Sequence, residues 1–325
     1  MNDWMDAQTR VERAHIFSRQ QQWKSAADEL QAAVAVNPNN HLWYFNLGLA
    51  RDMTGDFKAA CDAYQSALEL KPTDLQTLNC LGVCYTKLGK YAQALGCFAR
   101  LEKIAPDFEP GYCNRIELYT EIGQHEQAEV MFYLARQVKD HCPICYFNIA
   151  ISHYLRENYE QAIACFKQVR EIEPDYPQAN SRIADCYYAQ EKYELAHDFY
   201  LRELTSAGAD ADILIDLGDV CAKLGDYDQA QIYFGRAGTF APENPAIFYN
   251  LAMLALRTGN RSAARSALRK TVEIAPAFPT AKEKLEALSD NSAEVSLTPK
   301  KENPNEQACK KSADSIWQKL KKLFS

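Results

Sequence analysis

One spacing governs this chain. Pro38, Pro72, Pro106, Pro174, Pro242 and Pro276 are separated by 34, 34, 68, 68 and 34 residues, every interval a multiple of 34. Self-similarity at such a period marks a repeated supersecondary unit that buries its apolar faces by stacking on its neighbours. The two empty slots hold Asp140 and Gly208, both acceptable in a turn, so eight units run as 7–40, 41–74, 75–108, 109–142, 143–176, 177–210, 211–244 and 245–278. Within a unit, apolar residues recur at helical spacing on either side of a break, as in HLWYFNLGLARDMTGDFKAACDAYQSALELKP. Each unit therefore reads as a helix, a tight turn and a second helix.

Other places repeat in the same register. The eighth is small (Gly48, Gly82, Ala150, Ala184, Gly218, Ala252), with Ile116 a departure. Small residues there let the two helices of a unit approach closely. The twentieth is alanine in all eight units, from Ala26 to Ala264. The twenty-fourth is mostly aromatic: Tyr64, Phe98, Phe132, Phe166, Tyr200 and Phe234. Gly55, Gly89, Gly123, Gly225 and Gly259 stand at the turn. This combination of small residue, turn glycine, alanine, aromatic and closing proline resembles the tetratricopeptide repeat family. The resemblance implies an all-α, right-handed superhelical solenoid of about eight helix-turn-helix units, with KEKLEALSD after Pro279 as a capping helix, the whole occupying residues 7–289.

The same resemblance implies a concave surface lined by the first helix of each unit, where a peptide segment of a partner protein binds. Its sixth place holds Asn46, Asn114, Asn148 and Asn250, amides that pair with both polar groups of an extended backbone and should face solvent in an empty groove. Beside them the pattern places Phe45, Leu49, Phe147, Ile151, Tyr249 and Met253, more apolar area than a solvated face needs. Asp185, Asp212, Asp216 and Asp219 fall on the inner face of units six and seven, a place to receive a basic segment. The carboxylate clamp of one tetratricopeptide subclass does not fit. Asn148 and Arg182 are in place, but Cys113, Glu117 and Gln178 stand where Lys, Asn and Lys are required.

Composition narrows the function classes. The 325 residues are 47% hydrophobic and 24% charged, enough for a substantial core, and the formal charge of -7 with no basic face argues against nucleic-acid binding. The opening MNDWMDAQTRVER lacks the order of a secretory signal, and no window has the roughly 18 apolar residues of a membrane span, which leads to the expectation of a cytoplasmic chain. The eleven cysteines are scattered where small apolar residues fit, and so read as reduced, packed thiols. No catalytic residue, metal ligand or cofactor motif is assigned. Walker, G-x-S-x-G and G-x-G-x-x-G patterns are absent, and His125-Glu126-Gln-Ala-Glu129 comes near the zinc-hydrolase spacing but ends in Glu and reads as structural. Cys142-Pro-Ile-Cys145 has C-x-x-C spacing at a helix start, where unpaired N–H groups favour a redox dithiol. Without a second C-x-x-C it is read as two ordinary repeat cysteines rather than a zinc site.

Residues 290–310 are polar and aperiodic, the composition of a flexible linker. In residues 311–325, Ile316, Trp317, Leu320, Leu323 and Phe324 form one stripe about 120° wide on a helical wheel, while Lys319 and Lys322 lie opposite. That is a basic amphipathic helix suited to an anionic membrane surface, to a partner or to the chain's own groove. Three readings follow: a non-enzymatic interaction scaffold or chaperone-like adaptor, a peripheral membrane assembly factor anchored by the tail, and a redox protein using Cys142 and Cys145.

Overall fold

The computed structural model describes residues 2–289; the expected linker and tail helix lie outside the described residues. Among the described residues there are seventeen α-helices and no strand. The described residues form two compact units, 2–149 and 150–289, divided within one helix. The first unit holds the pairs α1 (Asn2–Arg19) and α2 (Trp23–Val36), α3 (His41–Met53) and α4 (Phe57–Leu70), α5 (Leu75–Lys87) and α6 (Tyr91–Ile104), and α7 (Glu109–Glu121) and α8 (His125–Val138). The dividing helix is α9 (Pro143–Leu155). The second unit continues with α10 (Tyr159–Ile172), α11 (Ala179–Ala189) and α12 (Tyr193–Ala207), α13 (Ala211–Leu224) and α14 (Tyr227–Phe240), α15 (Pro245–Arg257) and α16 (Arg261–Ile274). It ends with the single α17 (Pro279–Ser289), the expected capping helix.

The repeated residues explain the hairpins. The twentieth-place alanines, Ala26, Ala60, Ala94, Ala128, Ala162, Ala196, Ala230 and Ala264, are all 0% exposed. The twenty-fourth-place aromatics fill the space beside them: Tyr64, Phe98, Phe166 and Phe234 are at most 1% exposed. Burying each such ring contributes about 2–3 kcal/mol. The eighth-place glycines are required by these rings. A Cβ at Gly82 would lie 2.7 Å from Phe98, one at Gly218 2.6 Å from Phe234, and one at Gly48 would strike Tyr64.

Helix ends are fixed locally. Asn40, Asp74, Asp210 and Asn244 accept backbone N–H bonds at the starts of first helices, and Asp56, Asp226 and Asn260 do so at the starts of second helices. The turn between the helices of a pair takes a left-handed residue. Where the sequence has glycine this costs little, as at Gly55 (φ 78°) and Gly225 (φ 83°). Gln21 (φ 58°), Glu157 (φ 61°) and Glu191 (φ 59°) take the same conformation without glycine. The Lys192 N–H donates to the Tyr187 carbonyl at 2.9 Å, closing the turn as the Asp56 N–H does to Arg51 at 3.0 Å.

Candidate functional site

In the second unit the first helices α11, α13 and α15 bring Tyr188, Asp219, Lys223, Asn250, Met253 and Arg257 around one pocket of about 120 Å3. That is below the roughly 300–1,000 Å3 of small-molecule sites, a size for a side chain rather than a cofactor. Leu254 and Phe234 add apolar wall, and the remaining groups offer an amide and charges of both signs. Asn250 Nδ2 donates to Asp219 Oδ1 at 3.2 Å, which leaves the amide oxygen as an acceptor. Tyr249, next to the pocket residues, stacks on Phe278 with centroids 5.1 Å apart. Of the sequence-expected groove residues, Asp219, Asn250 and Met253 are thus brought together. Asp212 and Asp216 lie on the same helix α13, half-buried.

Other expected groove residues belong to the packing. Phe147 and Ile151 are 4% and 5% exposed, core residues rather than an apolar lining. Asn148 is also buried, 5% exposed, and its Nδ2 donates to the Cys113 carbonyl at 3.2 Å, so it does not face solvent as expected. Phe45 and Leu49 are half-buried against the core around Tyr64, whose ring centroid is 5.9 Å from that of Phe45. Asn46 is half-buried, and Asn114 donates to Asn79 Oδ1 at 2.7 Å. The amides therefore do not form one uniform ladder.

Asp185 is committed to a local network rather than to a basic ligand. Arg182 Nη1 is 2.9 Å from its Oδ2, and the Tyr200 hydroxyl donates to Oδ1 at 2.6 Å. Arg182, 3% exposed, also donates to Gln178 Oε1 at 2.9 Å. The neighbouring Glu203, 2% exposed, accepts from the backbone N–H groups of Gln178, Asn180 and Ser181 at 2.9, 3.1 and 3.3 Å. A carboxylate from α12 thus satisfies the N-terminus of α11, whose own preceding residue makes no side-chain cap. Burial pushes the Glu203 carboxyl up, and these three donors and Arg182 oppose the shift only in part. With Arg182 consumed in this way, it is unavailable to a partner's carboxylate.

In the first unit two features stand out. Glu117 on α7 is half-buried; desolvation, reinforced by Glu121 and opposed by Lys87, raises its carboxyl to about 7. The second is a sulfur cluster. Cys113 and Cys145 are joined as a disulfide with Cα atoms 5.1 Å apart, which corrects the expectation of reduced thiols throughout. The bonded partner of Cys145 is therefore not its C-x-x-C neighbour Cys142, whose Sγ lies 3.4 Å from that of Cys113. Burial, reinforced by Glu109, pushes the Cys142 thiol up to about 12, the reverse of the lowered value a redox nucleophile requires. Sequence reasoning missed Glu109 and Cys113. Their signal was a carboxylate and a thiol at i, i+4 in the first turns of the helix one repeat before the C-x-x-C.

No helix among the described residues is long and apolar enough to cross a membrane. Profiles described as Tetratricopeptide repeat match residues 2–74, 63–96, 143–176, 211–231 and 223–288. The chain is similar to a tetratricopeptide repeat protein from Parabacteroides merdae, with TM-score 0.61 and 22% identity, over 77% of this chain and 99% of that one. It also resembles yeast Tom70, with TM-score 0.63 and 15% identity, over 83% of this chain and 59% of that one. A Candida albicans protein named peroxisomal targeting signal receptor is 29% identical over 90 residues, 28% of this chain. The chain spans only 15% of that relative's length. The repeated hairpins, their alanine and aromatic places and these matches together make the chain a member of the tetratricopeptide repeat family.

Proposed function

We propose that the chain is a non-enzymatic protein-interaction scaffold that holds an extended peptide segment of a partner against its first helices. The observation that carries this reading is the pocket walled by Asp219, Asn250 and Met253 in the second unit. Its apolar wall accepts one side chain, while the Asn250 amide and the flanking charges meet the peptide backbone. The relative named as a targeting signal receptor supports recognition of a segment rather than chemistry on it.

Selection of peptides from a random displayed library against the full chain tests this. The selected peptides should lose at least tenfold in affinity on Asn250→Ala combined with Met253→Lys, with the helical circular dichroism unchanged. Equal affinity for wild type and the double variant sinks the assignment of this pocket.

A further inference from the structure

Four chemistry-bearing side chains meet in the first unit, and none of them belongs to the pocket of the second. Glu109 and Cys113 stand one turn apart on α7, and Cys142 and Cys145 bracket the start of α9. One carboxylate oxygen and three sulfurs all lie within 4.8 Å of one another. We propose that these four residues are a metal site, and that with Cys113 and Cys145 reduced they bind one zinc-class divalent cation tetrahedrally.

A crosslink alone does not account for the cluster. A disulfide uses two sulfurs, yet a third buried sulfur, that of Cys142, sits 3.4 Å from Cys113. Glu109 Oε1 lies 3.2 Å from Cys113 Sγ and 3.8 Å from Cys145 Sγ. Disulfide sulfurs have no proton to donate, so the oxygen faces lone pairs there. Around a cation the same atoms become ligands, and their lone pairs converge on one point. At zinc–sulfur lengths of about 2.3 Å a tetrahedron has edges of about 3.8 Å; the non-bonded contacts of the cluster lie at 3.2, 3.4 and 3.8 Å, and the bonded Cys113–Cys145 pair separates to such an edge once it is reduced. Three thiolates favour a soft or borderline ion such as Zn2+ over Mg2+ or Ca2+.

The supporting shell is in place as well. The Cys145 N–H donates to Cys142 Sγ at 3.3 Å, and Asn148 ties the Cys113 carbonyl to α9 at 3.2 Å. Four anionic ligands around a dication leave a net negative charge, as in four-cysteine zinc sites, and the N-terminus of α9 beside Cys142 and Cys145 complements it. The three cysteines are at most 4% exposed, so the ion is shielded from water.

Titrating the full chain with Co2+, after reduction by a phosphine without oxygen, decides the matter. The expected result is one equivalent bound, with the intense visible bands of a tetrahedral ion and thiolate-to-cobalt charge transfer, all lost on adding one equivalent of Zn2+. Cys113→Ser and Cys142→Ser should each abolish the charge-transfer signal of this site or weaken Co2+ binding at least a hundredfold, while Cys186→Ser, in the second unit, changes neither. Glu109→Gln should weaken binding at least tenfold. Weak octahedral bands only, or an unchanged signal in Cys142→Ser, overturns the proposal. So does a Cys113–Cys145 bond that resists the phosphine in folded protein. Should the serine variants fail to fold, the wild-type spectrum still decides: its absence refutes the site.

Discussion

The sixth place of the repeat is occupied in contrasting ways in the two units. Near the end of the first, Asn148 is buried and spends its amide on a backbone carbonyl; near the end of the second, Asn250 is half-exposed and helps to wall a pocket. Arg182, also at a sixth place, is buried and tied to Asp185 and Gln178. One sequence position thus ends either in the packing or on the wall of a pocket, depending on how deeply its neighbours bury it. The contrast teaches that repeat register locates a face but does not say whether that face is open.

Replacing Arg182 tests the packed side of the contrast most severely. Arg182→Met should cost about 3–5 kcal/mol in urea denaturation, because Asp185 and its Tyr200 bond are left with an uncompensated buried charge. Adding Asp185→Leu should recover much of that loss. If the single variant is as stable as wild type, the network is not structural.

Asn148→Ala and Asn250→Ala form a matched pair. The first removes a buried side chain together with its bond to the Cys113 carbonyl and should cost about 1–3 kcal/mol; the second loses only a half-exposed bond to Asp219 and should cost under about 1 kcal/mol. Equal losses in thermal denaturation would erase the distinction between the two places.

Glu117, at the ninth place, carries a small effect that depends on pH. Its carboxyl is raised from the usual 4.5 to about 7, so between those values the folded chain holds a proton that the unfolded chain has released. Stability therefore falls as pH rises through that window and is level above it. Discounted for partial exposure, the fall is about 1 kcal/mol. Glu117→Gln should flatten the pH profile of the melting temperature between about pH 5 and about pH 7 and raise stability at about pH 8. A wild-type profile already flat there would mean that the carboxyl is solvated.

The fold was legible because its determinants repeat. Ala26 to Ala264 and the aromatics from Tyr64 to Phe234 sit where the register puts them, buried as expected. The candidate site was legible only in part. Asn250, Met253 and Asp219 meet as the pattern implies, but Phe147, Asn148 and Ile151 do not, since burial depends on neighbours that periodicity does not encode. The sulfur cluster was hidden for a related reason. Cys113 and Cys145 are 32 residues apart, and only the stacking of successive first helices makes them neighbours.

Three hairpins turn on Gln21, Glu157 and Glu191 in a left-handed conformation that an ordinary side chain enters at a cost of about 1–2 kcal/mol. The hairpins form nonetheless, with the same closing hydrogen bonds as those that turn on glycine. Authority over the bend therefore rests with the packed helix faces, and local preference at the corner is overruled. Glycine at this corner is a convenience that the lineage of repeats can lose, whereas the alanine buried between the helices is the residue that no unit has relinquished.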